Sequence, residues 1–274
     1  MVSASAVSRD TAPGVPRLLW LPAALAVGLL VLPVAALFVR ADWGSLPADV
    51  TSPEALSALG LSLTTSLSAT VVCLLLGVPL AVVLARSRGW TADVLRALVT
   101  LPLVLPPTVG GIALLFLLGR RGLIGQSLDT WFGITIPFTT TAVVIAQTFV
   151  AMPFLVLAVE GSLRTAGNRF EVVAASLGAG RWTVLRRITL PLVMPGLVSG
   201  TVLCFARALG EFGATALFAG NSPGVTQTMP LAIYSAFNGA GVTQGTAVAL
   251  SLLLVVAAVA VLLAARAWRP GRAA

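Results

Sequence analysis

The chain has 274 residues, 58% of them hydrophobic and 9% charged, with a mean hydropathy of +1.01 and a formal net charge of +8. A soluble domain carries about a quarter charged residues, so this composition excludes an ordinary globular fold and points into a bilayer. All 17 basic residues are Arg, and Lys and His are both absent. Without a P-loop or Schiff-base lysine, and without the commonest proton-transfer side chain, the chain is expected neither to hydrolyse ATP nor to run acid–base chemistry. Cys73 and Cys204 lie inside apolar runs and read as small buried hydrophobes, not as a zinc or disulfide framework. No catalytic residue, metal ligand set or bound cofactor is expected in this chain.

Residues 1–17 are polar and contain Arg9, Pro13, Pro16 and Arg17. The apolar run that opens at Leu18 and lasts to Val39 exceeds the ~7–15 residues of a signal-peptide core and matches the ~20 needed to span hydrocarbon. It predicts a first transmembrane helix that is kept. Further spans are predicted at about 59–85, 97–118, 138–159, 191–219 and 246–265. The expected architecture is therefore an all-α membrane protein: a cytoplasmic segment 1–17, then one transmembrane domain over 18–274 with six helices.

Six spans place both termini on one side. With the N-terminus inside, the cytoplasmic segments hold twelve Arg: Arg9, Arg17, Arg86, Arg88, Arg164, Arg169, Arg181, Arg186, Arg187, Arg266, Arg269 and Arg272. Only Arg40, Arg120 and Arg121 then lie outside, with Arg96 and Arg207 at or within spans. This bias predicts an N-in, C-in topology and accounts for most of the net charge through lipid proximity, without a nucleic-acid partner.

Two spans are unusual. The third contains Pro102, Pro106, Pro107, Thr108, Gly110 and Gly111, where prolines remove backbone donors and two glycines loosen the helix. Such a break is tolerated at membrane depth where protein or a cavity satisfies the freed carbonyls. A plain kink and a pathway-lining role for Pro106, Pro107 and Thr108 are both open. In the fifth span, Arg207 and Glu211 are four residues apart and predicted to share one helix face, with Arg207 ~24 Å along the helix from Pro191. Gly196, Gly200, Leu203, Arg207, Glu211 and Ala214 form one stripe at steps of three and four, so the pair is expected to face protein or a cavity. A role for Arg207 in drawing an anion to the outer mouth stands beside a purely structural ion pair. The uncharged stretch 220–243 is expected to hold a short helix around Met229-Pro230-Leu231-Ala232-Ile233-Tyr234 at the outer interface.

The longest cytoplasmic connection, 161–190, does not read as a tether. Phe170, Val173, Ala174 and Leu177 follow helical spacing, Gly178 and Gly180 end that helix, and a second begins near Trp182. Two short helices meeting at a glycine turn make a stiff knob with apolar residues at its tip. A partner that supplies a groove explains the tip, and an interfacial helix pair held on lipid headgroups is the alternative.

Gly178 followed, after nine residues, by Ile188-Thr189-Leu190-Pro191 resembles the EAA loop of binding-protein-dependent ABC importer permeases. Val172 and Val173 stand where that pattern has Glu and its first Ala, Ala174 matches the second Ala, and Glu171 comes one position early. The Leu101–Gly111 stretch with Gly119-Arg120-Arg121-Gly122 is similar to molybdate permease subunits. Phe205 to Thr215 and Thr226 to Tyr234 are similar to the oxyanion branch of these permeases, which covers molybdate, tungstate, sulfate and thiosulfate.

The resemblance implies a type I importer permease fold in the inner membrane and a homodimer with the path along its axis. It implies P-loop ATPase subunits that bind ATP and Mg, and an extracytoplasmic oxyanion-binding protein. ATP would close the ATPase dimer and rock the bundles between inward-open and outward-open states. The residues implied in coupling are Glu171, Val173, Ala174, Ala175, Leu177, Gly178, Ile188, Leu190 and Pro191. A secondary transporter without an ATPase is the rival class, but no internal repeat is evident, and Glu160 and Glu211 are too few for an ion relay.

Overall fold

The computed structural model describes residues 16–239 and 244–267, and every regular element among them is helical. Residues 1–15 of the polar N-terminal segment, and Arg269 and Arg272, lie outside the described residues. By its internal contacts the chain divides after Ala41. The first unit holds a 3-10 turn, Arg17–Leu19, and α1, Trp20–Arg40, none of whose residues is buried. A helix of that length and composition with no covered face has the surface of a lipid-facing span.

The second unit comprises α2 (Leu46–Val50), α3 (Pro53–Arg86), α4 (Trp90–Val104), α5 (Pro107–Leu118), α6 (Gly125–Phe132), α7 (Thr140–Ala166), α8 (Arg169–Ser176), α9 (Arg181–Val184), a π-helical turn (Leu185–Thr189), α10 (Leu190–Leu209), α11 (Gly213–Phe218), α12 (Met229–Phe237) and α13 (Gln244–Ala267). Local chemistry sets the helix starts. Ser52 accepts the Ala55 amide at 3.2 Å ahead of Pro53 at the first helical position, and Thr139 accepts the Ala142 amide at 3.2 Å.

The centre of this unit is α7, packed between α3 and α10. Ala69, Cys73, Ala81 and Leu84 of α3 meet Ala151, Leu155, Val156 and Val159 of α7 and Cys204 and Ala208 of α10. Small residues dominate because helices in lipid gain little from excluding apolar surface and associate through close backbone approach. The Gly196/Gly200 stripe serves that purpose inside the chain: a Cβ at Gly200 would stand 2.9 Å from Ala158 Cβ of α7. A second cluster joins α5, α7 and α11 through Leu114, Val143, Ala146, Val150, Ala214 and Phe218. A third joins the start of α3 to α12 and α13 through Ala55, Ala58, Met229, Ala232 and Leu250.

Among the described residues, five helical runs are long and apolar enough to cross a membrane, and α4 with α5 makes a sixth if that pair counts as one span. It is not straight, however. The chain bends by 114° between α4 and α5, because Pro106 and Pro107 lack N–H groups and Leu105 and Pro106 adopt extended backbone. The predicted 97–118 span is thus corrected to a broken pair. The predicted 191–219 span is corrected too, since α10 ends at Leu209 and residues 210–212 separate it from α11. Predicted 138–159 continues to Ala166, so the first turns of the expected loop belong to α7. The short helix expected in 220–243 is α12, and residues 240–243 lie outside the described residues.

At the end of the unit that carries α8, Glu160 of α7 has a side chain only 6% exposed and lies 2.7 Å from Arg96 Nε and 3.0 Å from Arg164 Nε. Arg96 also reaches Asp93 at 3.0 Å and donates to the Leu84 carbonyl at 3.1 Å, so one guanidinium ties α3, α4 and α7. Removing one partner of a buried ion pair leaves the other charge uncompensated. Glu160→Leu is expected to destabilise the fold by about 3 kcal/mol, seen as a lower thermal midpoint in detergent and reduced membrane abundance. An unchanged midpoint would contradict this role.

Candidate functional site

The knob forms as the spacing predicts, with a difference at its exit. Helix α8 ends at Ser176 with Leu177 as its C-cap, Gly178 turns the chain at φ 84°, and α9 begins at Arg181. That φ lies in the left-handed region, which glycine enters without steric cost. The second knob helix does not stop: α9 runs through the π-helical turn into α10, so the knob is rigidly continuous with the fifth span. Val173, Ala174 and Leu177 of α8 face Ile188 and Pro191 across an apolar hollow of about 500 Å³, with Phe170, Arg187 and Leu192 completing its wall. Leu177 is 82% exposed. Of the other expected coupling residues, Ala175 and Gly178 lie exposed outside this wall, and Leu190 is half-buried at the start of α10.

Glu171 points elsewhere. Its carboxylate takes two bonds from Arg86 Nη2, at 3.0 and 3.1 Å, and one from Thr189 Oγ1 at 2.5 Å. It therefore clamps α8 to the end of α3 and to the π-helical turn. The position of this Glu, one residue early in the EAA pattern, suits an internal clamp instead of a group offered to another subunit.

At the other candidate site, Arg207 and Glu211 do pair, with Nη2 and Oε2 2.6 Å apart, but not on one continuous helix face. Glu211 follows Gly210, which caps α10, and its Oε1 accepts the Ala214 amide at 2.7 Å, capping α11. The Glu211 side chain is 1% exposed and that of Arg207 26%. Ala214 thus leaves the predicted stripe for a separate helix, and Leu203 is only half covered by the described residues.

The proline break meets the same place. A Cβ at Gly213 would stand 2.8 Å from Pro107 Cβ and 3.3 Å from the Thr108 amide nitrogen, and one at Gly111 2.8 Å from the Ala214 carbonyl oxygen. Gly111 therefore brings α5 onto α11, where flexibility had been expected. Pro106, Pro107 and Thr108 are exposed, and the Arg207 side chain is part-exposed. The two sets of candidate pathway residues, about a hundred positions apart in sequence, are brought together at the first turn of α11.

Sequence reasoning missed the Arg96–Glu160 and Arg86–Glu171 pairs, which join residues 64 and 85 positions apart. Glu160–Arg164, at helical spacing, was the available signal for the first. Among the described residues no three His, Cys, Asp or Glu converge to hold a metal ion.

Residues 77–271 match the family model described as "Binding-protein-dependent transport system inner membrane component". The chain belongs to this family. Within it, the chain is 55% identical over 256 residues to the molybdenum transport system permease protein ModB of Mycobacterium tuberculosis, covering 93% of this chain and 95% of that one. It is 44% identical over 198 residues to the protein of the same name from Escherichia coli, covering 72% and 86%. Among solved structures, a bacterial alginate ABC transporter in complex with an alginate pentasaccharide-bound periplasmic protein matches with a TM-score of 0.68 at 17% identity, over 90% of this chain and 92% of that one. That likeness is one of fold. As an inner membrane component of a binding-protein-dependent system, the chain implies ATPase and binding-protein partners.

Two variants test the geometry of this transport component. Gly213→Val forces α5 off α11 and is expected to destabilise by about 1–3 kcal/mol, measured by thermal unfolding in detergent. Glu171→Ala should free α8, raising amide hydrogen exchange over Arg169–Ser176 without changing exchange in α7. Unaltered exchange in α8 would show that the clamp does not hold the knob.

Proposed function

We propose that this chain is the transmembrane subunit of an ATP-driven molybdate importer, working as a homodimer with both termini in the cytoplasm. The observation that carries the substrate is the 55% identity, over 93% of the chain, to a molybdenum transport permease. The Arg bias between loops supports the orientation.

On this reading the apolar hollow between α8 and the start of α10 receives an ATPase subunit, which binds and hydrolyses ATP with Mg. The extracytoplasmic binding protein delivers the oxyanion to the opposite face. Movement of the docked ATPase reaches the fifth span directly, because α9, the π-helical turn and α10 form one uninterrupted run. Glu171 holds α8 to that run, so the two limbs of the knob move together. At the far end, Glu211 caps α11 through Oε1 and pairs with the Arg207 guanidinium through Oε2. Arg207 keeps part of its surface open and adds positive potential beside Thr108, where a dianion passes between subunits. Glu211 limits how tightly the anion is held, so release is not slowed.

Uptake of labelled molybdate in proteoliposomes tests these roles. Arg207→Gln, at normal membrane abundance, is expected to slow uptake on the order of tenfold, the effect of about 1.4 kcal/mol at the barrier. Wild-type uptake would remove Arg207 from the pathway. Gly178→Pro replaces a positive-φ turn by a residue locked near −65°, and Leu177→Glu places a charge in the apolar hollow. Both should abolish uptake while the permease stays in the membrane, and wild-type rates in both would overturn the coupling assignment.

A further inference from the structure

Beside the Glu171 clamp, and separate from the apolar hollow, lies a cavity of about 350 Å³ whose wall includes Arg86, Ser87, Arg88, Arg164, Asn168 and Glu171. Three guanidinium groups and one carboxylate leave its lining positively charged. Arg86 commits only Nη2 to Glu171, and Arg164 commits only Nε to Glu160, so both keep donors for a ligand. Arg88 is exposed and makes no hydrogen bond or ion pair among the described residues. The first turn of α8 opens on the same space, and Asn168 at its N-cap makes no side-chain cap bond. The cavity therefore presents forked guanidinium donors from the ends of α3 and α7, a donor set that suits a phosphate.

Its position narrows the source. The apolar run of α3 ends at Arg86, and Trp90, 79% exposed, follows within one turn of the connection. Arg residues just past a span, with an exposed Trp beside them, mark the headgroup level of a bilayer. We infer that this cavity binds a phosphate oxyanion, presented as the headgroup of an anionic phospholipid or as free phosphate. Bound there, the phosphate bridges the ends of α3 and α7 at the base of the knob and shares Arg86 with Glu171, so the occupied site adjusts the stiffness of the clamp. The inference rests on the proposed orientation only in assigning the site to the cytoplasmic leaflet.

The test uses the permease with its ATPase subunit, wild type against Arg88→Gln and Arg88→Glu. Phosphatidylglycerol retained per permease is counted by native mass spectrometry after reconstitution with mixed phosphatidylglycerol and phosphatidylcholine. Inorganic phosphate is titrated by phosphorus NMR line broadening in phosphatidylcholine nanodiscs. Arg88→Gln should weaken binding about fivefold, and Arg88→Glu more. Retained phosphatidylglycerol that phosphate does not displace identifies the lipid headgroup as ligand; saturable phosphate binding that displaces it identifies the free oxyanion. Equal binding of both probes by wild type and variants overturns the site. So does loss of the ATPase subunit from the Arg88 variants with probe binding unchanged, which would make Arg88 a protein contact. Neither probe requires transport, so failure of molybdate uptake in the wild type would count against the proposed function alone.

Discussion

Inside hydrocarbon a backbone amide or carbonyl without a partner costs several kcal/mol, so a membrane helix can be broken only where something else supplies the bond. This chain breaks its helices at Leu105–Pro106 and at residues 210–212, and widens one into a π-helical turn at Leu185–Thr189 without a break, and each irregularity carries its own repair. The Pro106 carbonyl accepts the amides of Val109 and Gly110 at 2.9 and 3.2 Å, restarting α5 immediately after the bend. Thr189 donates to Glu171 in the widened turn before α10. Glu211 supplies a carboxylate oxygen to the Ala214 amide in the first turn of α11. The residues with functional potential are gathered at these repairs, because polar groups are needed there for structural reasons already.

Between the breaks, the fold depends on small residues. Ala69, Ala151, Gly200 and Ala208 let α3, α7 and α10 approach until dispersion contacts hold them, since lipid tails offer no hydrophobic penalty for separation. The Arg86–Glu171–Thr189 clamp ties α8 to the end of α3 and to the π-helical turn before α10. Charge is spent on the same purpose, with Arg96, Glu160 and Arg164 joining three helices near the α8 end. In a chain with so few ionisable groups, most of the paired ones lock elements together.

Much of this was legible without coordinates where the information is local. Hydropathy located the spans because a 20-residue apolar run has few alternatives, and Gly178 marked the knob turn because a helix stop followed by a new helical pattern requires it. The Arg207–Glu211 pair was also found, yet for a reason that needed revision. Spacing suggested one helix face, whereas Gly210 ends the helix and Glu211 reaches back across the break while capping the next segment. The glycines near Pro107 read as loosening and proved to be contact surfaces, because which neighbour fills the space beside a glycine is a property of packing.

The sequence by itself determined the solvent, the presence of several long apolar helical runs, the Arg bias and the glycine turn of the knob. These follow from composition and from periodicities shorter than a few turns. Only the tertiary structure decided that Glu171 turns inward to Arg86, that Arg96 serves Glu160, and that the Pro107–Thr108 turn meets Gly213 beside the Arg207–Glu211 pair. Each of these joins positions 64 or more residues apart. At such separations the chain's own spacing carries no signal, and it is the close approach of small-residue helices that selects which charges can reach one another.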